Sequence, residues 1–74
     1  MNERNSETRE AVKRIKEAIY DVQIGEAEIQ PARSEPGTFI VMFDSRSGNA
    51  ARVTVHTSQD YDLIVRMLKR AHED

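Results

Sequence analysis

The spacing of apolar residues predicts a helix near each end of the chain. Between Ser6 and Val22 they recur at steps of three and four and so share one helical stripe: Ala11, Val12, Ile15, Ala18, Ile19 and Val22. Ser6 is the predicted N-cap, and Gly25 lies just beyond the predicted end. A second stripe predicts a helix capped by Thr57 or Ser58, and it comprises Tyr61, Ile64, Val65, Leu68 and Ala71.

An apolar run, followed after a loop by alternating apolar and polar residues, predicts a β-hairpin between these helices. Its strands run from Thr38 to Asp44 and from Ala51 to His56, and a five-residue loop joins Asp44 to Ala50. That loop length predicts a register that pairs Phe43 with Ala51, Val41 with Val53 and Phe39 with Val55. The segment from Glu26 to Arg33 is a weak extended stretch, which Pro31 confines to a sheet edge or to an irregular segment.

These elements predict an α+β fold. A small antiparallel sheet of two or three strands carries the N-terminal and the C-terminal helix on one face, in the order αβββα or αββα. Residues 1–74 form one domain, and residues 1–5 and 73–74 are expected to fray. The predicted core comprises Val12, Ile15, Ile19, Phe39, Val41, Phe43, Val53, Val55, Ile64 and Leu68.

The element order resembles that of the double-stranded-RNA-binding domain. That family presents lysines at the start of its second helix, where they attract phosphate. The corresponding positions here are Gln59, Asp60, Tyr61 and Asp62, and their carboxylates would repel phosphate. The resemblance therefore covers the order of elements alone, which does not specify a function.

Composition narrows the possible functions. The 11 basic and 13 acidic residues give a net charge of −2, which is not the charge of a protein that binds nucleic acid by bulk attraction. Without cysteine, disulfides and thiolate metal sites are impossible, and a reducing compartment is expected. The N-terminus has no apolar signal region and the longest apolar run ends at Phe43, so we expect a cytoplasmic protein with no membrane span.

No complete catalytic or metal-binding set stands out. His56, Ser58 and Asp60 have the composition of a catalytic triad, but helix capping explains Ser58 and Asp60 without catalysis. His56 and His72 are the only histidines and would need further ligands to hold a metal. We therefore predict no enzymatic activity, no metal and no cofactor.

Three surfaces remain as candidate binding sites. The α2 flank, on the second helix, places apolar Leu63 and Met67 beside Arg66 and Arg70, which is the composition of a small protein interface. The other two surfaces are each a set of residues on one face of an element. The outer sheet face comprises Ile40, Met42, Arg52, Thr54 and His56. The α1 basic stripe, on the first helix, comprises Arg9, Lys13, Lys16 and Tyr20.

The leading hypothesis is a non-enzymatic protein-binding module. It would be a small regulator or inhibitor of a larger assembly, such as one that processes nucleic acid, and its partner would be acidic at the contact. Phages and mobile elements encode inhibitors of this general size, which makes such a source a hypothesis by analogy. One alternative is a nucleic-acid-binding domain that uses the α1 basic stripe. Another is a structural homodimer held by the outer sheet face or by the second helix.

Overall fold

The computed structural model describes the backbone of residues 3–74 and the side chains of residues 8–74. The chain forms a helix, a three-stranded antiparallel sheet and a second helix, as predicted for the αβββα order. The bounds of the elements are α1 Glu3–Val22, β1 Ala27–Pro31, β2 Thr38–Asp44, β3 Ala50–His56 and α2 Tyr61–Glu73. Neither described helix is long and apolar enough to cross a bilayer.

Helix α1 starts earlier than its predicted cap. It begins at Glu3, so Ser6 lies inside the helix and is not its N-cap. Residues 1 and 2 lie outside the described range.

Helix α1 ends without the glycine that the sequence suggested. Gln23 has a φ of 65° and adopts the left-handed conformation, whereas Gly25 has no positive φ. The amide of Gln23 donates to the Tyr20 carbonyl at 3.0 Å, and the amide of Ile24 donates to the Ile19 carbonyl at 3.1 Å. These two bonds form a Schellman motif. The motif turns Ile24 into the core, where it is buried.

Replacing Gln23 with glycine should raise the free energy of unfolding by about 1 kcal/mol, because a residue with a Cβ is strained in the left-handed region. Urea denaturation of the variant measures this as a higher midpoint. Gln23→Ala is the control, since it removes the same side chain but keeps the strained Cβ. Equal midpoints for the glycine and alanine variants would show that the left-handed conformation costs nothing here.

The hairpin has the predicted register. Residues 38–44 pair with residues 50–56, and Val41 lies opposite Val53. The loop between them is closed by the amide of Ser45, which donates to the Asn49 carbonyl at 2.8 Å, and by Gly48 at a φ of 89°. The amide of Arg46 also donates to the His72 carbonyl at 2.8 Å, so the loop satisfies a carbonyl at the end of α2 that has no partner in its own helix.

The weak segment is a true strand at one edge of the sheet. The sheet order is β1-β2-β3, and β1 pairs with β2 so that Ile29 lies opposite Val41. Pro31 is the last residue of β1 and lies opposite Phe39. It is confined to an edge strand, as predicted, because its missing N–H then faces away from the ladder.

Both helices pack on the same face of the sheet. The predicted core is confirmed except that Val12 and Ile19 are half-buried against it. Three small or apolar residues, Ala11, Ala18 and Ile24, are buried in addition. Helix α2 begins at Tyr61 with Asp60 at the N-cap position, so neither Thr57 nor Ser58 caps it, and Asp60 makes no side-chain capping bond.

Candidate partner-binding surfaces

The α2 flank combines an exposed apolar side chain with exposed cations. Leu63 is 41% exposed, although Ile64 and Leu68 on the same helix are buried. Arg66 and Arg70 are exposed beside it. Met67 is half-buried and packs against the core, so only part of this predicted pair is available to a partner. The flank is one contiguous surface, with Leu63 as its free apolar contact.

The position of Tyr61 shows which side of α2 carries this flank. The Tyr61 hydroxyl donates to the Asp21 carboxylate, so this side of α2 faces α1. On a helical wheel, Met67 and Leu63 lie about 120° and 160° from Tyr61. Helix α2 packs against β3 as well as α1. The α2 flank therefore lies on the side of the helix away from α1, above the outer edge of β3.

The outer sheet face is open but carries both signs of charge. Ile40 and Met42 are half-buried in the central strand, while Arg52, Thr54 and His56 are exposed on β3. Met42 lies between Glu28 of β1 and Arg52 of β3. Glu26 and Asp44 line the same end of the sheet, in a shallow depression of about 510 Å³. These carboxylates make the outer sheet face a poorer match for an acidic partner than the α2 flank.

The α1 basic stripe is fully on the solvent side of its helix. Arg9, Lys13 and Lys16 are exposed, and Tyr20 is 82% exposed. The four residues lie within about 60° of each other on the helical wheel. The structure therefore brings together all the residues predicted for this surface.

His56 and Ser58 form a local turn before α2. The His56 Nδ1 lies 2.7 Å from the Ser58 Oγ and accepts the Ser58 backbone amide at 3.2 Å. The backbone amide of His56 donates to the Gln59 Oε1 at 2.9 Å. This network fixes the chain between β3 and α2, which is a structural use of His56 and Ser58. Asp60 lies beyond it, at the start of the helix.

The two histidines lie at opposite ends of α2. The His72 ring packs near Phe43, with ring centroids 6.3 Å apart, close to the end that contacts the hairpin loop. His56 precedes the other end. Among the side chains of residues 8–74, no three histidine or carboxylate groups are grouped as metal ligands. The structure thus does not bring His56 and His72 together.

Tyr61 joins the two helices through its hydroxyl. Its hydrogen bond to Asp21 raises the pKa of Tyr61 from its ordinary 10.0 to about 12, with smaller contributions from desolvation and from the charges of Asp21, Glu17 and Asp62. The bond favours the protonated phenol. Because the folded-state pKa exceeds the unfolded one, the bond stabilises the fold fully below pH 10 and is lost as the pH rises from 10 to about 12.

Titration of the phenol should show this shift directly. In a Tyr20→Phe variant, which leaves Tyr61 as the only tyrosine, the ultraviolet absorbance of phenolate should rise with a midpoint of about 12. Asp21→Asn in the same background should lower the midpoint, because it removes both the acceptor and the negative charge. An unchanged midpoint after Asp21→Asn would contradict the assigned cause.

Sequence reasoning missed the role of Arg14. Its guanidinium donates to the Gln59 carbonyl at 3.0 Å and to the Thr57 carbonyl at 3.5 Å, and so ties α1 to the turn before α2. Arg14 also borders a groove of about 610 Å³ that Pro36, Phe39 and Thr57 help to line. The groove joins α1 to the β1–β2 connection, two segments far apart in sequence, so no local pattern could indicate it.

Comparison with protein-family models, with curated proteins and with solved structures gives no significant match, so the geometry of these surfaces is the basis for a functional argument.

Proposed function

We propose that the chain is a non-enzymatic protein-binding module that regulates or inhibits a larger protein assembly through the α2 flank. The observation that carries the proposal is the 41% exposure of Leu63 on a helix whose other large aliphatic residues, Ile64 and Leu68, are buried. An apolar anchor with a polar rim is the usual anatomy of a protein interface. The absence of cysteine suits a cytoplasmic site of action.

The partner would be acidic around an apolar contact. Arg66 and Arg70 are exposed on the α2 flank, and the guanidinium group can bind a carboxylate with two parallel hydrogen bonds. No acidic residue occurs between Leu63 and His72 along α2. The outer sheet face lacks this uniform charge, because Glu28 and Arg52 lie in the same cross-strand row. Charge therefore favours the α2 flank over the outer sheet face for an acidic partner.

Crosslinking can identify the partner and the surface in one experiment. A photo-crosslinking residue at position 63 should capture the partner in the producing cells, whereas the same residue at position 20 or 40 should not. Affinity for the captured protein is then measured by calorimetry. Leu63→Asp with Arg70→Glu should weaken binding at least about tenfold, because interface energy is concentrated in a few contacts.

The matched control makes the same chemical changes on α1. Tyr20→Asp with Lys16→Glu also replaces an exposed apolar residue and a cation, and it should leave the affinity unchanged. Ile40→Asp probes the outer sheet face. Retained binding by the Leu63/Arg70 variant, together with loss of binding by either of the others, would place the contact elsewhere and reject the α2 flank. Met67 is left unchanged because it packs against the core.

A second candidate function is nucleic-acid binding by the α1 basic stripe. What favours it is the exposure of three cations beside Tyr20, whose 82% exposed ring can stack on a base. Fluorescence anisotropy with labelled single-stranded and duplex oligonucleotides at several salt concentrations tests it. Binding that weakens steeply with salt and is lost in Lys13→Glu, Lys16→Glu would support this function. No binding at low salt would reject it.

A further inference from the structure

The outer edge of β3 has unpaired backbone groups. Antiparallel ladders alternate between residues that exchange hydrogen bonds and residues that do not. The Ser45–Asn49 and Gly37–Thr57 bonds mark two bonded pairs of the β2–β3 ladder. Bonded pairs recur at every second residue along the ladder, so Ala51, Val53 and Val55 are the residues of β3 whose backbones are hydrogen-bonded to β2. The backbone amides and carbonyls of the alternate residues, 50, 52, 54 and 56, therefore point away from the sheet.

These outward-pointing backbone groups form a short unpaired stretch along the edge of β3. The His56 amide is already bonded to the Gln59 side chain, which closes the edge at that end. Among the described residues, no side chain is hydrogen-bonded to the backbone of Ala50, Arg52 or Thr54. Their N–H and C=O groups remain to pair with another strand.

The other edge of the sheet is less suited to pairing. The amide of Ala32 donates to the Thr38 carbonyl at 2.9 Å, which fixes the phase of the β1–β2 ladder. Ala27, Ile29 and Pro31 then direct their backbone groups outward. Pro31 has no N–H to donate, and β1 is only five residues long. An additional strand would therefore pair with β3 rather than with β1.

The residues around the open edge of β3 indicate the chemistry of a strand that would pair with it. The α2 flank lies above it, so an added strand would place alternate side chains against Leu63 and Met67. Neither β3 nor residues 63–72 contain an acidic residue, while Arg52, Arg66 and Arg70 are exposed there. A second copy of the chain would bring the same cations into contact with these. The charge therefore disfavours self-pairing and favours an acidic strand.

We infer that the partner adds an extended acidic segment to β3 as a fourth strand. Its backbone pairs with Ala50, Arg52 and Thr54, an apolar side chain packs on Leu63, and carboxylates on its two faces bind Arg52 and the arginines of α2. This inference rests on the proposed protein-binding function and specifies the form of the ligand. Main-chain bonds would supply affinity, and the alternating side chains would supply specificity.

A synthetic probe can test strand addition before the partner is known. The probe is a fluorescent peptide of about seven residues in which each of the two strand faces carries both glutamate and valine, and binding is measured by anisotropy. The same peptide with every backbone amide N-methylated keeps the charge but cannot donate hydrogen bonds to β3. A lysine–valine peptide reverses the charge. We expect the parent probe to bind and both controls to bind at least about tenfold more weakly.

The matched variant removes one outward donor from β3. Thr54→Pro should weaken binding of the parent probe at least about tenfold and should leave the β2–β3 ladder intact, because the Thr54 amide points away from β2. Hydrogen exchange should show that the amides of Ala50, Arg52 and Thr54 become protected when the probe binds. The N-methylated probe keeps the test valid if the proline variant does not fold.

Several results would overturn the inference. They are no binding of the parent probe at about 1 mM, equal binding of the N-methylated probe, or a dimer in light scattering whose β3 amides are protected without peptide. The identified partner then separates this inference from the proposed function. If Leu63→Asp with Arg70→Glu abolishes partner binding and Thr54→Pro does not, the α2 flank is the site but strand addition is wrong.

Discussion

Replacing Phe43 with alanine should lower the free energy of unfolding by about 3–5 kcal/mol, through lost apolar burial and the cavity left behind. Phe43 is 6% exposed, and its ring lies between the sheet and His72 of α2. The chain contains no tryptophan and only two phenylalanines, so few other residues can fill this volume. A domain of this length is stable by only about 4–11 kcal/mol, so this loss is a large fraction of the total and the variant should melt far below the parent chain.

Tyr20→Ala is the control for this change, because it truncates an aromatic residue that is 82% exposed. It should alter the free energy of unfolding by less than about 0.5 kcal/mol. Thermal unfolding followed by circular dichroism compares the two variants with the parent chain. A Phe43→Ala variant that melts within a few degrees of the parent would show that Phe43 is not part of the core.

The hairpin could be predicted in detail because its signals are local and agree with each other. Alternation of Val53 and Val55 with polar residues specifies which side of β3 faces inward, and a loop of fixed length then specifies the register that places Phe39, Val41 and Phe43 on the same face. Pro31 likewise restricts its segment to an edge strand, because a central position would leave a ladder carbonyl without a donor. The inward faces of the helices follow from the same kind of repeat.

The ends of the helices could not be predicted in the same way. Gln23 occupies the left-handed position that glycine usually takes, since burial of Ile24 and two backbone bonds stabilise the turn. Asp60 occupies the N-cap of α2, whereas Ser58 bonds to His56. Short polar side chains can form hydrogen bonds with several neighbouring groups, and tertiary packing determines which of these bonds forms.

The candidate surfaces were predictable as sets of residues but not as surfaces of the folded chain. The helical wheel places Leu63 and Met67 together, but only the packing shows that Met67 is half-buried while Leu63 is free. The open edge of β3 depends on the phase of a ladder whose bonds are not visible in the sequence. Whether these surfaces bind a protein stays a prediction.

Replacing Leu68 with alanine should cost about 2–5 kcal/mol, because Leu68 is 0% exposed between the sheet and α1 and the cavity cannot fill with solvent. The same substitution at Leu63, on the same helix and 41% exposed, should cost less than about 1 kcal/mol. Urea denaturation of both variants measures the difference. Similar costs at the two positions would mean that Leu63 belongs to the core, and the α2 flank would then lose its free apolar anchor.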